Sequence, residues 1–228
     1  MDNCILKLSD DGKILKGILD KSVTHVEIPN GVVEIYSWAL SGCKNLESIS
    51  IPNSVNNLES HTFMDCISLK SIDIPNSISV IKRSLFYDCS SLEKVSIHGN
   101  VTSIGKSAFE GCISLKSINL PDSLTSIGEK AFKGCESLLT INIPSSVVEI
   151  GDEVFENCFS LNYINLPNNI KEISRCIFLK CTSLCSIDIP NSVRNIAPMA
   201  FLGCTSLNSI DIPNSVINIG VSAFSGCI

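Results

Sequence analysis

Residues Gly111–Cys135 read GCISLKSINLPDSLTSIGEKAFKGC, a stretch that opens and closes on the same Gly-Cys pair. The pair marks a period. Cysteine recurs at Cys43, Cys66, Cys89, Cys112, Cys135, Cys158, Cys181, Cys204 and Cys227, always 23 residues apart. Proline keeps the same step from Pro29 to Pro213, with His98 in the one gap, and phenylalanine keeps it from Phe63 to Phe224, with Leu40 in the first slot. Three registers held over nine turns without an insertion specify a solenoid, whose units bury their apolar side chains only by stacking.

Within one unit, Leu69-Lys70-Ser71-Ile72-Asp73-Ile74 alternates polar and apolar residues, the pattern of a half-buried strand. Pro-Asn-Ser then ends the strand, because proline offers no N–H to a ladder and Asn and Ser favour turns. Val-x-x-Ile turns the chain inward again, and glycines at 105, 128, 151 and 220 are read as relaxing a turn. Ala-Phe-x-Gly-Cys is expected to form a short helical or 3-10 turn on the opposite side. The expected fold class is thus an α/β-type repeat solenoid with a parallel sheet on one face and helical turns and loops opposite. Strands roughly 4.8 Å apart would give a stack about 43 Å long. In this register Phe132 lies in the core and Lys133 is an exposed control position.

With 44% hydrophobic and 18% charged residues the chain can bury a large core. A net charge of −6 and a pI near 5.1 oppose both a nucleic-acid footprint and an electrostatic anchor to acidic lipid. No apolar run is long enough to span a bilayer. Met1-Asp2-Asn3-Cys4-Ile5 lacks the basic region and apolar stretch of a signal peptide, an expectation of a cytoplasmic chain.

The recurring I-P-x-S-V-x-x-I-G-x-x-A-F-x-G-C-x-S-L, with L-x-x-I-x-I as its strand, resembles the BspA-like leucine-rich repeats over roughly residues 23–228. Asp10-Asp11-Gly12-Lys13 and the residues that follow resemble the hairpin-like lead-in of such arrays, so residues 1–22 are read as an N-terminal cap and 23–228 as the array. The last coil is incomplete at Cys227-Ile228, which would leave an apolar end: the array is a fragment, continues in the natural protein, or pairs there as an end-to-end homodimer.

The cysteines do not read as a disulfide scaffold, since parallel side chains in a ladder point the same way and an odd row of nine cannot pair completely. Buried and reduced, they would act as small hydrophobes. Cys176, Cys181 and Cys185 lack the spacing of a metal site and are read as exposed, buried and rim residues. His25, His61 and His98 occupy three different repeat positions, His98 taking the proline slot of the Ser96-Ile97-His98-Gly99 turn. There is no phosphate-binding loop, nucleophile elbow or H-E-x-x-H, so neither a catalytic residue, nor a metal, nor a cofactor is expected.

Strand residues that do not point inward should line one continuous face. Asp73, Lys94, Ser96, Ser117, Asn119, Thr140, Asn142, Tyr163, Asn165, Asp188 and Asp211 are its candidate binding residues. Small polar residues also protect any exposed strand from aggregation, and Tyr163 is the only large aromatic in these columns. Trp38, Tyr36, Met64, Tyr87, Leu179, Leu202 and Met199 share no single column, and most of them read as ordinary surface or partial packing. The resemblance implies a noncatalytic module for a protein or glycoprotein ligand, in the setting of cell-surface adhesion. The alternative is an intracellular interaction scaffold, which the missing leader and free thiols favour. An ordered-water template would need more aligned threonines, and an enzyme comes last.

Overall fold

The computed structural model describes residues 5–98 and 100–227 of the 228-residue chain; Gly99 of the His98 turn lies outside them. A hairpin opens the chain, β1 (Leu6–Leu8) lying antiparallel to β2 (Ile14–Ile18). From there the chain winds nine times into a parallel β-solenoid. Coils 1 to 9 are counted here from His25, Ser48, Ser71, Lys94, Ser117, Thr140, Tyr163, Ser186 and Ser209.

Strands on one side alternate inward and outward residues, as in Thr140–Asn142, where Ile141 is buried between two exposed neighbours. The pairs are His25–Glu27 with Ser48–Ser50, Ser71–Ile74 with Lys94–Ile97, and Thr140–Asn142 with Tyr163–Asn165. A second ladder, absent from the sequence reading, forms where Val-x-x-Ile turns inward. Two-residue strands run from Val80–Ile81 through Ser103–Ile104 and Ser126–Ile127 to Glu149–Ile150, and from Glu172–Ile173 through Asn195–Ile196 to Asn218–Ile219. Glu34–Ile35 joins Asn57–Leu58 and β2.

Among the described residues the opposite side carries no helix, which corrects the expectation of helical or 3-10 turns. Two residues per coil take left-handed backbone, Ser107 and Gly111 in coil 4 and their equivalents 23 residues on either side. A right-handed helix cannot pass through such residues. The N–H groups alternate instead. Ala108, Glu110 and Cys112 donate three residues back, while Ser107, Phe109 and Gly111 donate to Glu129, Ala131 and Lys133 of the next coil at 2.8 Å each. The same three bonds recur at every step from Ser84 to Gly203. This turn ladder, not the sheet, is the unbroken seam of the molecule.

Inside, Phe63 to Phe224 stack with ring centroids 5.2–5.8 Å apart and planes within 22° of parallel. Each such pair adds about 0.5–1.5 kcal/mol beyond the burial itself. The cysteine thiols are hydrogen-bond donors as well as apolar filling. Cys89 Sγ lies 3.0 Å from the Phe63 carbonyl and Cys135 Sγ 3.2 Å from that of Phe109, one coil back in each case. Burial pushes the row upward, Cys66 to about 12, so these thiols stay protonated and able to donate. All the described cysteines are free.

The glycines at 105, 128, 151 and 220 do not relax a turn. They sit where two coils nearly touch: a Cβ on Gly128 would lie 2.7 Å from the Lys106 backbone nitrogen. Cys176 is buried rather than exposed, a small side chain whose Sγ lies 3.8 Å from Arg175 Nη1. Lys133 is not a free surface lysine either, since it reaches Glu153 at 3.0 Å and Glu156 at 2.9 Å.

Candidate interaction face

Alternation along the strands sets this face. With Ile72, Val95, Ile118, Ile141, Ile164 and Ile187 buried, their neighbours on either side must point outward. Asp73, Lys94, Ser117, Asn119, Thr140, Asn142, Tyr163, Asn165, Asp188 and Asp211 are all exposed, and Ser96 is half-buried.

The face is not one continuous sheet. Thr140, Asn142, Tyr163 and Asn165 stand together on one strand pair, where Asn165 Nδ2 donates to Asn142 Oδ1 at 3.2 Å. Asp73, Lys94 and Ser96 belong to another pair, in which His98 Nε2 lies 2.9 Å from Asp73 Oδ1. Ser117, Asn119, Asp188 and Asp211 lie on segments outside any strand. The columns persist from coil to coil, but the ladder between them is interrupted. Single-residue alternation predicts the columns and carries no information about whether two neighbouring coils bond.

Residues beside the columns add to the face. Lys70 pairs with Glu47 at 2.7 Å and Lys116 with Glu93 at 3.0 Å, exposed pairs along one edge that contribute little to stability. At the same edge Leu139 is 50% exposed and Phe159 38%, close in sequence to Tyr163 at 46%. The sequence reading passed over both. Their signal was departure from the repeat: Leu139 stands where coils 1 to 4 carry Glu47, Lys70, Glu93 and Lys116, and Phe159 where its neighbours carry Glu136 and Thr182.

A recess opens between the strand of coil 4 and the start of coil 5, with a volume near 580 Å³ and walls formed by Glu93–His98 and Lys116–Asn119. A smaller one, near 320 Å³, separates coil 5 from coil 6. Among the described residues no group of three or more His, Cys, Asp or Glu side chains is placed to hold a metal. On the far side of coils 1 and 2, Trp38 stacks on His61 with ring centroids 4.1 Å apart.

The family description "BspA type Leucine rich repeat region" matches residues 19–138 and 102–228, in six copies. No curated protein matches the sequence. Among solved structures, a leucine-rich repeat protein of T. pallidum is similar at 26% identity and a TM-score of 0.56, over 100% of this chain and 88% of that one. One from Bacteroides ovatus is similar at 24% identity and 0.54, over 95% and 87%. A leucine rich cell surface protein of Faecalibacterium prausnitzii is similar at 22% identity and 0.51, over 97% and 90%.

Proposed function

Because this chain belongs to the BspA-type leucine-rich repeat family, whose repeats serve generally as protein-binding modules, we propose that it is a noncatalytic recognition array for a protein or glycoprotein ligand. Residues 1–22 act as its cap and the nine coils as its working surface. The observation that carries the reading is the strand pair Thr140–Asn142 and Tyr163–Asn165. There a hydrogen-bonded asparagine pair and an exposed tyrosine are held side by side by a three-residue parallel ladder. A preformed surface spends little ordering entropy on binding, and tyrosine supplies contact area at low entropic cost. In the finer form of the proposal the ligand is an extracellular-matrix protein or mucin, met at a cell surface.

The test is a binding screen of the full chain against matrix proteins, mucins and glycans, beside a folded double variant, Asn142→Lys with Tyr163→Ala. Capture of a ligand by the wild type, weakened at least about tenfold in the variant, is the expected result. Equal capture by both would remove this face from the site.

A further inference from the structure

We propose that the recess between the strand of coil 4 and the start of coil 5 receives an extended, acidic peptide segment of a partner protein. The proposal rests on the reading of the sheet face as an interaction surface and adds the chemistry of what one part of it binds.

The recess is a wedge, not a break. On the turn side Phe109 N–H reaches the Ala131 carbonyl at 2.8 Å, and the Phe109 and Phe132 rings stand 5.3 Å apart, as close as elsewhere in the stack. Only the strand side is parted. Lys94–Ile97 bonds to Ser71–Ile74 of coil 3 along four residues, and the His98–Asp73 contact ties it further in that direction. Toward coil 5 it bonds to nothing: among the described residues no ladder hydrogen bond joins 94–97 to 116–120, and 117–120 is not a strand. A strand edge therefore faces the recess with its N–H and C=O groups unpaired within the protein. Such groups take water or a partner's main chain, and an extended peptide supplies the latter.

Charge selects among peptides. Lys94 stands in a column otherwise made of Ser, Thr, His and Tyr, and among the described residues it has no carboxylate within ion-pair distance. Lys116, across the recess, is already held by Glu93 at 3.0 Å. Lys94 is thus the cation left for a carboxylate on the ligand. The floor is aliphatic, Val95 and Ile118, and suits the inward-facing side chains of an alternating strand. The His98 imidazole is the one ring at the recess; no Phe, Tyr or Trp lines it to give a sugar ring a broad stacking platform.

The experiment titrates the whole protein into two fluorescein-labelled, end-capped peptides, one alternating Glu and Val and one alternating Lys and Val, followed by fluorescence anisotropy. The Glu–Val peptide should bind and the Lys–Val peptide should not. Lys94→Glu should weaken binding at least about tenfold, while Lys171→Glu, an exposed change elsewhere, should leave it unaltered. Hydrogen exchange should slow at residues 94–97 and 117–120 when the Glu–Val peptide is present. Failure of both peptides to bind, or binding indifferent to Lys94→Glu, overturns the proposal. If Lys94→Glu is neutral while Asn142→Lys with Tyr163→Ala abolishes binding, the recess is wrong and the wider face stands. Binding of a neutral glycan that slows the same amides would overturn the peptide assignment.

Discussion

The Cys135 thiol sits 3.2 Å from a carbonyl that the Cys135 N–H does not use, since that N–H turns back to Phe132 in its own coil. Position in the repeat told the size of the side chain wanted there, but not that it would donate across coils, because a donor and an apolar filler leave the same mark in a periodic pattern. Phenylalanine was read more completely. Phe132→Ala should cost about 3–5 kcal/mol, because the rings above and below hold the cavity open. Lys133 is unsuitable as the surface comparison, being tied to two glutamates. Lys171 is exposed, and Lys171→Ala should cost less than about 0.5 kcal/mol. Denaturant midpoints of the two variants check the pair, and equal costs would mean that the inside–outside register is wrong.

At the scale of elements, the strand was legible and the turn was not. Ser71-Ile72-Asp73-Ile74 shows its alternation in four letters, whereas Ala108-Phe109-Glu110 offers apolar neighbours that fit a helical turn equally well. What decides the matter is the left-handed backbone at Ser107, and serine carries no signature of it. The second ladder escaped because two residues per coil are too few to display a period. The glycines separate two causes that look alike in the sequence. Gly134 has φ 71°, and a would-be Cβ would meet the Gly111 backbone only in ordinary contact at 3.7 Å, so Gly134→Ala should cost only about 1–2 kcal/mol of backbone strain. Gly128 has ordinary backbone, but an added Cβ would strike Lys106 and Gly105 of the coil beneath. Gly128→Ala should therefore force coils 5 and 4 apart on the second-ladder side and cost about 3 kcal/mol or more. Thermal melts of the two variants distinguish the cases, and a milder effect at Gly128 would show that the coils yield there.

Over the whole molecule, one ion-pair network runs across coils 4 to 7. Lys106 holds Glu129 at 2.8 Å, and Glu153 is met by Lys130 at 3.5 Å, Lys133 at 3.0 Å and Arg175 at 2.7 Å. Burial opposes ionisation of Glu153, but Lys133 and Lys130 outweigh it and hold the carboxyl down to about 2 from an ordinary 4.5. A carboxyl lowered on folding stabilises the protein above its unfolded value, and that stability drains away as pH falls toward the folded one. The stability gap between wild type and Glu153→Gln should accordingly be full above about pH 5, on the order of 2–3 kcal/mol, and close as pH falls toward 2. Urea titrations at several pH values measure it, and a gap indifferent to pH would contradict the network. None of this was readable from the repeat, because charge pairing depends on which coil departs from the pattern. The same holds for the candidate face: its columns followed from alternation, its interruptions and Leu139 from individual departures.

The turn ladder, sewn at every step from Ser84 to Gly203, leaves the opposite edge joined only in places. A book bound this way keeps its spine while its fore-edge fans. The spacing between successive rows of the exposed face is then an adjustable quantity, able to follow a ligand whose own repeat differs from 23-residue coils at rest, without loosening a single phenylalanine behind it.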